Sequence, residues 1–169
     1  EEALKYAKDR GVKPLLWYNS STAWIKAWGA PGPHNRLNAP ENREKEFAWL
    51  EKMGVAGVKI DFFAGDKQET MEYCIDLLEC AARHHLMVNF HGATVPRGWQ
   101  RTYPNLLSTE AVYGAEWYNN ESVLTKKAAC HNATLPFTRG IVGSMDYTPC
   151  TFSDSQHPHI TTHAHELAL

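Results

Sequence analysis

No stretch of this sequence approaches the roughly 18 consecutive apolar residues that a membrane-spanning helix needs, so no membrane span is expected. Nor is there a basic block. The 17 Lys and Arg residues are outnumbered by 19 acids, for a net charge of −2, and the electrostatic footprint of a nucleic-acid binder is missing. Cysteine is sparse: the four thiols at 74, 80, 130 and 150 form no CxxC pair. Cys74 and Cys80 stand six apart in one expected helix, on different faces, so they read as free thiols that leave the redox compartment open. There is no glycine-rich phosphate loop, GxSxG elbow, HExxH pair or EF-hand loop, which removes the most legible routes to nucleotide, serine-hydrolase, zinc-protease and EF-hand calcium chemistry. The opening Glu-Glu-Ala-Leu-Lys reads as charged helix rather than a leader. With no initiator Met, the expectation is a segment of a longer protein.

What is present begins with length. The 169 residues suffice for one domain with a real core. Six tryptophans are many for this length. Core packing accounts for some of them, but indole faces also stack on sugars, which points weakly toward carbohydrate. The stretch GVAGVKIDFF (54–63) organises the rest. A short apolar run after a helix stop predicts a parallel strand buried on both faces. Lys59 and Asp61, two apart near its end, share a face. They are either a structural ion pair or working groups.

In chain order, residues 1–10 read as helix and 12–18 as strand, followed by a long Gly/Pro-rich loop, 19–38, that holds Trp24 and Trp28. Pro40 opens a helix over 41–53, which Gly54 ends. Asp66 and Glu69 form a capping-box pattern for a helix to about 83, with Met71, Cys74, Ile75, Leu78 and Ala82 at core spacing. Strands are expected at 86–90 and 106–110, joined by a loop, then a helix at 122–131, a last strand starting at 135–138 and a helix from 161. Five strands alternating with helices imply a parallel sheet with right-handed crossovers. This fits a slice of a (β/α)8 barrel better than a complete domain, with polar residues gathered at the C-terminal strand ends where such barrels do chemistry; a doubly wound sheet is the alternative, with no Gly-rich phosphate loop after any strand to support it.

Three acids stand at or just past strand ends: Asp61, Glu110 and Glu116. Two carboxyl groups flanking one bond suit glycoside hydrolysis, a hard-cation site uses the same residue types, and an acid there also caps helices. His91 shares the strand-end layer with Asp61 and is either a working group or a satisfied core histidine. His157, His159, His163 and His165 have spacings that a transition metal could use, but no cysteine or HExxH pattern accompanies them, and solvated loop histidines are the plainer reading.

The motifs GVKPLLWYN (11–19), GVAGVKIDFFAGDKQ (54–68), VNFHGATVPRGWQRTYPN (88–105), STEAVYGAEWY (108–118) and MDYTP (145–149), with TTHAHELAL at the end, resemble glycoside hydrolase family 97. The resemblance implies that residues 1–169 are strands 3 to 7 of the family's central (β/α)8 barrel, without its flanking N- and C-terminal β domains. It implies a calcium-dependent exo-glycosidase acting on oligosaccharides, in a family of inverting α-glucosidases and retaining α-galactosidases. Retaining members carry a nucleophilic Asp at the place of Asp61. Inverting members lack it and carry a Glu directly after the histidine, where this chain has Gly92. Both features point to retention and to α-galactosides. Glu116 matches the general acid/base, Glu110 and Glu116 match two calcium ligands, and Lys59 and His91 match substrate-contacting positions. Family members are commonly exported to the periplasm, which sets the expected location. Other expectations are an α-glucosidase of the same family, a barrel fragment inactive by itself, and a sugar-binding module built on the tryptophans.

Overall fold

Four short strands pair in chain order as one parallel sheet: β1 (Leu15–Asn19), β2 (Gly57–Asp61), β3 (Met87–Phe90) and β4 (Leu106–Thr109). The structure, a computed structural model, describes residues 2–22, 25, 30–63, 65–120, 122–148 and 161–168; Trp24, Trp28, Pro149, Cys150, His157 and His159 lie outside the described residues. Parallel neighbours need crossovers. These are α2 (Pro40–Met53), α3 (Gln68–Arg83) and the single turn α4 (Trp99–Thr102), with α1 (Glu2–Lys8) before the sheet and α5 (Ser122–Thr134) and α6 (His163–Leu167) after it. The result is the α/β arrangement expected of a partial (β/α)8 barrel. Among the described residues no helix is long and apolar enough to cross a membrane.

Local chemistry explains the elements. Pro40 sits in the first turn of α2, where its missing N–H costs nothing, and Gly54 ends the helix at φ +75°, donating its N–H back to Glu51 and Leu50 carbonyls. In α3 the buried face is Tyr73, Cys74, Leu77, Leu78 and Ala81. The expected stripe was rotated slightly, since Ala82 is exposed and Met71 and Ile75 are only half-buried. Phe47 and Leu50 of α2 and Leu77 and Leu78 of α3 join Val58, Ile60, Val88 and Phe90 in the core, all without solvent exposure. Each such side chain contributes about 1.5–3 kcal/mol by leaving water.

Four expectations need correction. β2 is not apolar on both faces: Val58 and Ile60 are buried, whereas Lys59 and Asp61 are half-buried on the other side. Asp66 is not the N-cap of α3. The helix starts one residue later, at the Lys67 cap, and Asp66 instead lies 3.4 Å from Arg97. No strand forms at 135–138. Pro136 cannot donate to a ladder and suits a helical first turn, so Leu135–Phe137 and Arg139–Val142 are 3-10 turns. The only pairing beyond β4 among the described residues is a single parallel bridge from Met145 to Thr109. The β3–β4 connection, expected as loop, contains the helical turn α4. Cys74, Cys80 and Cys130 are free thiols, as expected.

Candidate active site

Register decides which side chains meet. Asn19 pairs with Asp61 across β1 and β2, and Trp17, Lys59 and Asn89 align across three strands. A bulge between Val88 and Asn89 then brings Ser108 opposite Asn89. The polar face of the sheet therefore carries Trp17, Lys59, Asn89 and Ser108 in one row. Asp61, His91 and Glu110 stand beyond it at the strand ends.

The chain leaves β2, β3 and β4 the same way. The residues directly after Asp61, His91 and Glu110 all have positive φ: Phe62 at 68°, Gly92 at 49° and Ala111 at 40°. For Phe62 and Ala111 this left-handed backbone costs on the order of 1–3 kcal/mol, and such strain collects at functional sites. Each turn leaves the preceding side chain at the strand mouth while the backbone swings away.

Asp61 has both oxygens engaged. Trp17 Nε1 donates to Oδ2 at 3.2 Å, and the Phe62 backbone N–H donates to Oδ1 at 2.7 Å. Lys59 shares its face, but the ion pairs at this end of the sheet belong to His91 and no Lys59–Asp61 pair forms. His91 is buried between two acids: Nε2 bonds Asp146 Oδ2, and Nδ1 lies 3.6 Å from Glu110 Oε1. Asn89 Nδ2 donates to the same Asp146 oxygen at 2.7 Å and reaches Ser108 Oγ at 3.2 Å. Burial pushes the Asp146 carboxyl up, but the hydrogen bonds from His91 and Asn89, with the charges of His91 and Lys59, outweigh it and hold the group below the usual range. Glu110 goes the other way. Burial raises its carboxyl and the charges of Glu116 and Asp61 add to that, against the Gly92 N–H it accepts at 2.7 Å and the charge of His91.

Glu116 lies on the 3-10 turn Ala115–Asn119, exposed to solvent. It is brought near enough for its charge to act on Glu110. A cleft of about 630 Å³ opens beside Glu110, with Tyr113, Trp117 and His131 in its wall. Tyr113 and Trp117 meet edge to face at 4.7 Å. Asp61 and Lys59 are not in its lining. Of the terminal histidines, His163 and His165 belong to α6, and neither joins a metal-capable group of three among the described residues.

Two residues were missed from sequence. Asp146 is 55 positions from the His91 it bonds, and no periodicity spans that distance. Arg139 is buried and donates to the carbonyls of Thr109 (2.5 Å), Ser144 (2.9 Å) and Gly143 (3.0 Å), tying the end of β4 to the segment that carries Asp146. A charged residue in an apolar turn was its only signal.

A sequence profile described as Glycoside hydrolase 97 matches residues 1–112. A protein of Streptomyces bingchenggensis described as a probable retaining alpha-galactosidase is 40% identical over 168 residues, which is 99% of this chain and 23% of that protein. A retaining alpha-galactosidase of Bacteroides thetaiotaomicron is 32% identical over 148 residues, covering 88% of this chain and 20% of that one. The chain thus spans between a fifth and a quarter of these relatives. Among solved structures, a beta-arabinopyranosidase superposes with a TM-score of 0.87 at 40% identity, covering 99% of this chain and 27% of its own. A family 97 enzyme from Pseudoalteromonas sp. strain K8, in complex with panose, gives 0.68 at 25% identity, covering 90% and 24%.

Proposed function

Because the chain belongs to glycoside hydrolase family 97, we propose that it is part of the catalytic barrel of a retaining exo-α-glycosidase, with Asp61 as nucleophile and Glu116 as general acid/base. One contact carries the choice of retention. A Cβ at Gly92 would lie 3.1 Å from Asp61 Oδ1 and 3.0 Å from the Phe62 nitrogen. A glutamate after His91, the arrangement that resemblance links to inversion, would press on the very carboxylate that retention uses. Asp61 and Gly92 therefore go together.

On this reading Asp61 attacks the anomeric carbon as Glu116 protonates the leaving oxygen. A glycosyl ester on Asp61 forms and the glycosidic bond breaks. Water, deprotonated by Glu116, then cleaves the ester and releases sugar with its original configuration. Lys59 and His91 contact substrate hydroxyls, and Asp146 fixes the His91 ring. Calcium fits the donor set in kind: Glu110 is a buried carboxylate, and the charges of Glu116 and Asp61 reach it. Glu110 and Glu116 would hold the ion, which would supply charge stabilisation at the leaving-group side. The remaining barrel strands and the flanking β domains lie outside these 169 residues on this reading, and the whole protein is exported.

The test uses the whole protein that contains this chain. Asp61→Ala is expected to lose turnover by orders of magnitude, and azide is expected to restore it as a glycosyl azide. Full turnover without azide would rule Asp61 out as nucleophile. For the sugar, the relatives named as alpha-galactosidases favour terminal α-galactosides. The beta-arabinopyranosidase likeness favours a second reading. A β-L-arabinopyranoside matches an α-galactoside at its ring hydroxyls and lacks only the exocyclic CH2OH. Rates on the two 4-nitrophenyl glycosides decide. A preference of about 10- to 200-fold, the range for one pocket-filling group, is expected for the galactoside, and the reverse preference assigns the pentoside.

A further inference from the structure

Between the two helices, Glu44 of α2 meets Cys80 of α3 and His84, the residue that caps the end of α3. One ligand atom from each lies within 4.8 Å of the other two. Cys80 and His84 are four apart, so both point from one side of the helix. Cys80 Sγ is 3.4 Å from Glu44 Oε2, and His84 Nε2 is 2.8 Å from Glu44 Oε1. The other ring nitrogen is already held: His84 Nδ1 lies 3.0 Å from Glu51 Oε2. A carboxylate behind the far nitrogen is the usual support of a metal-bound histidine, because it fixes the ring and raises the basicity of the near nitrogen.

We propose that Cys80 Sγ, His84 Nε2 and a Glu44 carboxylate oxygen form a zinc site, with water as fourth ligand and Glu51 orienting His84. One soft thiolate, one imidazole and one carboxylate are ligands that tetrahedral zinc accepts, at about 2.0–2.3 Å. The exchange balances. Both His84 nitrogens face carboxylates, at 2.8 and 3.0 Å. Zinc(II) enters as the Cys80 thiol gives up its proton to solvent, and any proton on His84 Nε2 leaves the same way. Arg83 opposes the metal, since its guanidinium lies 3.0 Å from Glu44 Oε2. The site is independent of the glycosidase reading.

The whole protein that contains this chain is titrated with cobalt(II) and then zinc chloride, in a Cys130→Ser/Cys150→Ser background that removes the exposed thiol and the one outside the described residues, beside the same protein carrying Cys80→Ser. One equivalent of cobalt is expected to give a near-ultraviolet thiolate-to-metal band that zinc displaces. Cys80→Ser abolishes the band. Glu44→Gln, at a half-exposed position that leaves the core intact, weakens binding with the fold unchanged. Glu51→Gln keeps all three ligands and weakens binding by about tenfold. Arg83→Gln removes the competing cation and tightens it, an effect that a plain interhelical hydrogen-bond network would not produce. A band that survives Cys80→Ser, saturable binding without any thiolate band, or affinity indifferent to both Glu44→Gln and Arg83→Gln overturns the site.

Discussion

Glu110 works against the stability of its own chain. Burial raises its carboxyl above the ordinary 4.5, so the folded protein favours its protonated form. A raised folded value means that this contribution is fully present below pH 4.5 and is lost as pH rises through the folded value. Above the folded value the ionised group is a burden. Glu110→Gln keeps an acceptor for the Gly92 N–H and removes the charge. In the calcium-free chain it is expected to raise the unfolding temperature at pH 7.5, to do little at pH 4, and to abolish any gain on adding calcium. A variant less stable than the parent at pH 7.5 contradicts this. Gly92 is the second residue with a sharp expectation. Its φ of +49° disfavours any Cβ, by about 1–2 kcal/mol. The 3.1 Å approach also means that even alanine displaces Asp61 by tenths of an ångström. In the whole enzyme Gly92→Ala is expected to lower kcat by roughly 10- to 100-fold, a scale set by the sensitivity of reacting geometry, with KM little changed.

Among the elements, the turn Arg139–Val142 lines the cleft beside Glu110 and ties the end of β4 to the segment that carries Asp146. Its Arg139 guanidinium binds three carbonyls around the end of β4. A lysine has one donor centre and cannot span them. Arg139→Lys is expected to cost about 1.5–3 kcal/mol, the value of a charged hydrogen bond in a buried setting. It is also expected to speed amide exchange at Asp146, whose N–H reaches Thr109 O at only 3.4 Å, while β2 and β3 stay protected. Equal loss of protection across the sheet would mean a global effect instead. Elements were legible where one force ruled: Gly54 stops α2, a short apolar run marks β2, and a 3.6-residue period builds α3. They were not where forces compete. Pro136 in an apolar run overrode strand propensity, and a one-residue shift in the start of α3 turned Asp66 from cap to surface partner of Arg97.

At the scale of the molecule, the sheet divides labour between its faces. Val58, Ile60, Val88 and Phe90 hold the helices, and the polar row lies on the other face with the strand-end groups beyond it. That division was legible, because alternation puts Lys59 with Asp61 and Asn89 with His91. The positive φ at Phe62 and Ala111 was not legible, since nothing in Asp-Phe-Phe or Glu-Ala-Val demands it; only at Gly92 did the residue type announce the turn. Asp146 was hidden for another reason: the fold, not the sequence spacing, delivers it to His91. The 3.1 Å gap between Gly92 and Asp61 couples the two positions: a larger residue at 92 is expected to be better tolerated where the side chain at 61 is smaller, so that Asp61→Ala with Gly92→Ala costs less stability than the two single changes added together.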